Sequence, residues 1–164
     1  MITAQALAAC LLAAANTYQV PPAVMIGIMQ VEGGRVGQES LRNFNGTHDL
    51  GPMQVNTIWM PKLGRYWHVS SETARVWVRD DGCVNVHVAA WILKQKIAET
   101  GSLYRGIAHY HSATPGEGNR YATKVIAAME RRGLIRHDNN TASTYHVYQY
   151  AQNQYADSTQ VAQR

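Results

Sequence analysis

Charge and long hydrophobic runs are both scarce in this chain of 164 residues. Charged residues make up only 16% of the chain, the formal net charge is +4, and no segment carries about five like charges in a row. This pattern argues against a dedicated nucleic-acid arm. No stretch reaches the ~18 consecutive apolar residues of a transmembrane helix, so we expect no membrane-spanning segment.

Basic residues are missing from the N-terminal part of the chain, because no Lys or Arg precedes Arg35. A secretion signal starts with a positively charged region, so the Ala- and Leu-rich residues 1–15 predict an amphipathic first helix instead. No signal peptide is therefore visible. A second helix is predicted to end at Glu32, before Gly33 and Gly34.

The composition predicts one domain followed by a tail. Apolar residues amount to 46% of the chain, which is enough for a single core over residues 1–136. Residues 137–164 are dominated by small polar residues and tyrosines and predict a polar, flexible tail. The two cysteines, Cys10 and Cys83, either pair or remain free, and counting alone leaves both possibilities open.

Glu32 is the first candidate catalytic residue, because it ends the apolar run of residues 24–31. Partial burial disfavours the charged carboxylate, so we expect the pKa of Glu32 to be raised. A glutamate that stays protonated near neutral pH can act as a general acid in glycoside cleavage. The alternative is a helix-end carboxylate that turns outward to water.

The second candidate segment spans residues 48–56. Gly51 and Pro52 predict a turn, and the apolar–polar alternation from Met53 to Asn56 predicts a half-buried strand. Gln54 and Asn56 would then share one face, where their amides could bind sugar hydroxyls and N-acetyl groups. The alternative is an ordinary hairpin whose amides satisfy local backbone groups.

Aromatic residues and helix signals organise the rest of the chain. We interpret Trp67 as a candidate for sugar stacking and Trp77 as a core residue. Helices are predicted over residues 84–100 and over 120–132, with an apolar segment at 103–110 and a flexible turn at 114–118. His109 and His111 would point apart on a helix, so we predict no metal site.

Three segments follow one another in an order that resembles a known family. They are Val31-Glu32-Gly33-Gly34, then Asp49-Leu50-Gly51-Pro52-Met53-Gln54-Val55-Asn56, and finally Ala108-His109-Tyr110-His111-Ser112-Ala113-Thr114-Pro115 with Arg120-Tyr121-Ala122. Together they resemble the bacterial lytic transglycosylases of the lysozyme superfamily. The similarity covers roughly residues 8–133 and is greatest to the small enzymes associated with conjugation and with type III and type IV secretion systems.

The resemblance implies a lysozyme-like α+β fold, mostly α, with a short β-hairpin beside the active-site cleft. It implies cleavage of peptidoglycan glycan strands between N-acetylmuramic acid and N-acetylglucosamine, with no cofactor and with Glu32 as the catalytic residue. It also implies a Cys10–Cys83 disulfide, a periplasmic location, and partners in a secretion or conjugation complex. The implied substrate-binding residues are Gly51, Met53, Gln54, Asn56, Tyr110, His111 and Tyr121.

Two alternatives remain open at this point. Asp49 has the separation from Glu32 that the second carboxylate of animal lysozymes has from their acid, so a hydrolytic muramidase using both carboxylates is one alternative. The other is a non-catalytic murein-binding assembly protein. Its motivation is that Gly33 and His111 replace the family's usual Ser and Asn.

Overall fold

A computed structural model describes residues 2–136, so the predicted tail over residues 137–164 lies outside the described part of the chain. The chain divides into two compact units between Ile92 and Leu93. Each unit is described by itself.

The first unit holds four complete helices and the first half of a fifth. They are α1 (Ala4–Tyr18), α2 (Pro22–Glu32), α3 (Met60–Trp67), α4 (Ser71–Asp80) and α5 (Gly82–Thr100). Two short strands, β1 (Asp49–Leu50) and β2 (Val55–Asn56), lie between α2 and α3, and a 3-10 turn over Thr57–Trp59 leads into α3. The predicted first helix, second helix and long helix are confirmed.

Local signals explain where α2 starts and stops. Pro22 occupies its first turn, where a missing N–H leaves no hydrogen bond unmade. Gly33 follows in the left-handed region at φ 61°, and its N–H donates to the Met29 carbonyl 3.1 Å away. A residue with a side chain adopts this conformation at a cost, whereas glycine does not. The helix therefore ends immediately after Glu32.

The sheet is shorter than predicted. β1 and β2 pair antiparallel with Asp49 opposite Asn56 and Leu50 opposite Val55. The strand predicted from Met53 begins only at Val55, because Gln54 adopts φ 47° and belongs to the turn. Burial still alternates through this segment, with Met53 and Val55 buried and Gln54 and Asn56 half-buried.

A buried core holds the first unit together. Its largest side chains with no more than 1% exposure include Met25, Ile28, Leu50, Met53, Val55, Val78 and Val86. Cys10 of α1 and Cys83 of α5 form a disulfide, as the resemblance implied. The interpretation of Trp77 as a core residue is wrong, since 43% of it is exposed and its ring leans on Trp67.

The second unit contains the rest of α5 together with α6 (Leu103–His111) and α7 (Pro115–Arg131). The turn predicted at 114–118 is wrong, because α7 already begins at Pro115 and takes in both of the following glycines. Gly118 is buried with no room for a Cβ, which would stand 2.5 Å from the Ser112 carbonyl oxygen. Close packing of α6 and α7 thus outweighs the weak helix propensity of glycine here.

Seven α-helices and one two-stranded antiparallel sheet make up residues 2–136. The predicted fold class, α+β and mostly α, is confirmed. None of the helices in this part of the chain is long and apolar enough to cross a membrane.

Candidate active site

The Glu32 segment and the hairpin turn meet at Gly34. A Cβ on Gly34 would overlap the carbonyl oxygen of Gly51 and come within 2.6 Å of the Gln54 side-chain nitrogen. Only a residue without a side chain allows this approach. The first two predicted motifs are therefore in direct contact through Gly34, two residues beyond the half-buried Glu32.

The turn between the strands is fixed by its own hydrogen bonds. The Gly51 N–H donates to the Gln38 carbonyl at 2.8 Å, and the Gln54 side-chain amide donates to the Gly51 carbonyl at 2.8 Å. Gly51 and Gln54 both adopt positive φ, at 67° and 47°. Because its amide nitrogen closes the turn, Gln54 shapes the loop.

Asn85 of α5 is a positioning residue that the sequence reasoning missed. It is fully buried, and its amide nitrogen donates to the carbonyls of Leu50 at 2.8 Å and Val78 at 2.9 Å. Its amide oxygen accepts from the Met53 N–H at 2.9 Å. Both donors and the oxygen of the side chain are thus used. The only available signal was a single Asn on an apolar face of a predicted helix.

The Asn85 side chain explains why residue 51 is a glycine. A Cβ on Gly51 would overlap the Asn85 side-chain amide. Gly51 and Met53 are both buried, so neither presents a side chain on the surface of the turn. We therefore assign both residues to the framework of the turn, and a contact with substrate would have to come from their backbone.

Asp49 lies in a polar network within the hairpin. One carboxylate oxygen accepts from the Asn56 amide at 2.8 Å and the other from the Asn43 amide at 3.1 Å. The Asn56 amide nitrogen also donates to Thr47 at 2.9 Å, and its oxygen accepts from the Ile58 N–H at 3.0 Å. Two candidate site residues, Asp49 and Asn56, are therefore bonded to each other. Asn56 also caps the 3-10 turn, so both the nitrogen and the oxygen of its side-chain amide already form hydrogen bonds within the protein.

An ion-pair cluster that the sequence reasoning also missed supports the loop before the hairpin. Glu39 pairs with Arg75 of α4, with His48 at 3.2 Å, and with Arg79 at 3.8 Å. The hydrogen bond from Arg75 is the main reason why the pKa of Glu39 lies below its usual value; the charges of Arg75, His48 and Arg79 add to it, against the opposing effect of burial. Because Glu39 also bridges to Leu50 of β1, the cluster links α4 to the hairpin.

The third motif lies in the second unit. Tyr110 is half-buried near the end of α6, and His111 is exposed at its last position. The His111 ring stacks on the buried Tyr121 of α7, with centroids 4.6 Å apart and planes 7° apart. Tyr121 thus contributes to packing and supports the His111 ring. Within residues 2–136 no group of three or more His, Cys, Asp or Glu is arranged to hold a metal ion.

We next compared the sequence with known protein families. Residues 9–130 match the family described as the transglycosylase SLT domain. The chain belongs to this family. No curated protein matches the chain.

Membership of the SLT family supports a lytic transglycosylase-type function on peptidoglycan in general. SLT domains act on peptidoglycan with lytic transglycosylase-type chemistry, and peptidoglycan lies outside the cytoplasm. The match includes Glu32, the hairpin and the third motif, so all the candidate site residues fall inside the SLT domain.

Proposed function

We propose that the protein is a lytic transglycosylase that cleaves the β-1,4 bond between N-acetylmuramic acid and N-acetylglucosamine and leaves a 1,6-anhydro end. The close approach of Gly34 to Gly51 and Gln54 carries the proposal. It sets the end of α2, where Glu32 stands, against a rigid polar turn in a chain of the SLT family.

Glu32 acts first as a general acid and then as a base. It protonates the glycosidic oxygen, the bond to the muramyl carbon breaks, and the N-acetyl group of the substrate stabilises the positive centre. The muramyl 6-hydroxyl then attacks that carbon and returns its proton to the Glu32 carboxylate. No water is consumed, and one carboxylate is enough. Half-burial of Glu32 supports the acid role, because desolvation favours the protonated form.

A hydrolytic muramidase is the second candidate, and the Asp49 network favours it. In hen-type lysozyme, which uses two carboxylates, the second carboxylate stays ionised in a polar, hydrogen-bonded setting. Asp49 has such a setting, with one amide donor on each carboxylate oxygen. In a transglycosylase, the same bonds give Asp49 the role of orienting Asn56.

We further propose that this cleavage opens the wall locally, in the periplasm, for a secretion or conjugation apparatus. The support is the similarity of the motifs around Glu32, Asp49 and Tyr110 to those of the small enzymes associated with such systems.

The test uses intact sacculi and four proteins: the parent chain, Glu32→Gln, Asp49→Asn, and Glu99→Gln. The last is a matched control, because Glu99 is exposed on α5 and its carboxylate pairs with Lys96 of the same helix. Released muropeptides are identified by mass spectrometry. We expect anhydro-muropeptides from the parent and from Glu99→Gln, none from Glu32→Gln, and a reduced amount of the same anhydro product from Asp49→Asn.

Other outcomes decide between the alternatives. Products heavier by one water, abolished by both Glu32→Gln and Asp49→Asn, would replace the transglycosylase with a muramidase. Equal release by Glu32→Gln and the parent would remove Glu32 from the mechanism. Binding to sacculi without release by any of the proteins would favour the non-catalytic murein-binding protein.

A further inference from the structure

All four tryptophans of the chain lie in the first unit as two ring pairs. Trp59 and Trp91 meet edge to face with centroids 5.3 Å apart, and Trp67 and Trp77 meet at 5.7 Å. None of the four is fully buried. Large aromatic side chains that stay partly exposed in groups are typical of binding surfaces.

One ring from each pair, Trp67 and Trp91, lines a pocket of about 490 Å³. Its walls come from Tyr18 at the end of α1, from α3, and from the first half of α5. The volume falls in the range of ligand-binding pockets. Glu32 and the residues of the hairpin lie outside the lining, so the pocket is distinct from the candidate active site.

The charged side chains at this pocket are positive. The Lys62 ammonium group stands 4.8 Å from the ring centroid of Trp91 and 5.7 Å from that of Trp59. Among the described residues, no Asp or Glu lines the pocket, and α3 carries Arg65 as well as Lys62 and no acidic residue. The field at the mouth therefore favours a ligand with a carboxylate.

Apart from Lys62 and His87, the lining is apolar or aromatic. Within residues 2–136 it contains no Asn, Gln, Asp, Glu, Arg, Ser or Thr, the side chains that best pair the many hydroxyls of a sugar. A buried sugar would leave hydroxyls without partners, which is unfavourable. The pocket therefore suits a large apolar or aromatic group with an acidic group beside it.

The aromatic surface continues beyond the pocket, and this distinguishes a polypeptide from a small amphiphile. Tyr66 lines the rim of the pocket and is 79% exposed, and Trp77, which is 43% exposed, packs against Trp67 without lining the cavity. A ligand confined to the pocket would leave the Trp77 ring uncovered. A chain that extends beyond its anchor would cover this ring.

We propose that this pocket, which we call the tryptophan pocket, docks a partner polypeptide through a bulky apolar side chain flanked by acidic residues. Lys62 pairs with the acidic group, and the rings of Trp67 and Trp91 hold the side chain. The proposal does not depend on the cleavage chemistry at Glu32.

The test titrates the ¹⁵N-labelled full chain with a capped peptide, acetyl-Asp-Phe-Leu-Glu-amide. Trp67→Phe and Trp91→Phe assign two of the four indole N–H signals. We expect these two signals to shift saturably, with a Kd on the order of 1 mM for so small a ligand. The peptide with both acids replaced by Lys should bind at least about fivefold more weakly, because its charge opposes that of Lys62. The peptide with Ala in place of Phe and Leu should not bind.

Variants of the protein test the charge. Lys62→Gln should weaken binding of the acidic peptide about fivefold and remove its advantage over the Lys peptide. The matched control is Lys124→Gln, because Lys124 is an exposed lysine of α7 in the second unit. Lys62→Gln should still release muropeptides from sacculi at the parent rate, which keeps this proposal separate from the proposed function.

Three results would overturn the proposal. The first is no saturable shift of the Trp67 and Trp91 signals up to about 5 mM acidic peptide. The second is tighter binding of chitotriose or decanoate at the same signals, which would make the occupant a glycan or a lipid. The third is unchanged affinity of the acidic peptide for Lys62→Gln.

Discussion

Replacement of Asn85 should loosen the hairpin turn more than any other change of a single polar side chain in the first unit. Asn85→Leu keeps the approximate volume but removes three hydrogen bonds, to Leu50, Val78 and Met53. Each buried backbone group left without its partner costs about 1–3 kcal/mol, and partial relaxation lowers the sum. We therefore expect a loss of about 3–5 kcal/mol, a large part of the stability of a domain this size.

Asn85→Asp separates hydrogen bonding from shape. The carboxylate can still accept from Met53, but an acceptor oxygen replaces both donors and faces the carbonyls of Leu50 and Val78. A buried charge also lacks a partner there. We expect Asn85→Asp to be destabilised at neutral pH and to recover part of the loss in mild acid, where a protonated carboxyl donates one bond.

Urea unfolding followed by tryptophan fluorescence measures these changes, and hydrogen exchange of the Met53 N–H reports on the turn directly. Asn119→Ala serves as the control, since Asn119 is exposed on α7 and should change stability by less than about 0.5 kcal/mol. A loss below about 1 kcal/mol for Asn85→Leu, with unchanged protection of the Met53 amide, would refute the role given to Asn85.

Four further changes follow from the same structure. Gly34→Ala should lower the unfolding free energy by about 1–3 kcal/mol and reduce muropeptide release, because the added methyl group overlaps the backbone of the turn. At Gly33 an added methyl group has open space, so Gly33→Ala should lose only about 1 kcal/mol, for its positive φ. Urea unfolding measures both changes. The Cys10–Cys83 disulfide joins two cysteines that are 73 residues apart in the sequence. Its reduction should lower the unfolding free energy by about 4 kcal/mol in the chain-entropy model. Urea unfolding with and without reductant measures this change, and an unchanged midpoint would contradict it. Glu39→Gln should lose about 1 kcal/mol at pH 7. A carboxyl whose pKa is lowered in the folded state stabilises the fold at pH values above its unfolded pKa, and this stabilisation is lost as the pH falls through the folded pKa. The difference in unfolding free energy between Glu39→Gln and the parent should therefore vanish in acid below the usual glutamate range. A difference that stays constant with pH would contradict this prediction.

Local sequence signals predicted the helices well where they agreed with packing. The Gly33-Gly34 pair predicted the end of α2, and the structure adds Pro22 in its first turn and the Ser70 cap of α4, which accepts from the Thr73 N–H at 3.0 Å. These features depend on neighbours within one turn of helix, which the sequence lists in order. The fold class, α+β and mostly α, was implied by the family that the three motifs resemble.

The same kind of signal misled where distant residues decide the conformation. Gly116 and Gly118 suggested a turn, yet both lie in α7, because Gly118 allows the backbone of α6 to approach. The alternation from Met53 to Asn56 predicted the burial pattern correctly but overestimated the length of the strand, which covers only Val55–Asn56. Gln54 bends out of it, since its side chain closes the turn on the Gly51 carbonyl.

The sequence by itself determined the end of α2, the order of the three motifs and the candidate acid Glu32, because each depends on residue type and on near neighbours, and the family that the motifs resemble implied the fold class. Only the tertiary structure decided that Asn85 holds the turn, that Asp49 and Asn56 bond to each other, and that one ring of each tryptophan pair lines a single pocket. These contacts join residues far apart in the chain. Their partners are chosen by packing and by the need to satisfy buried polar groups, which spacing along a sequence does not specify.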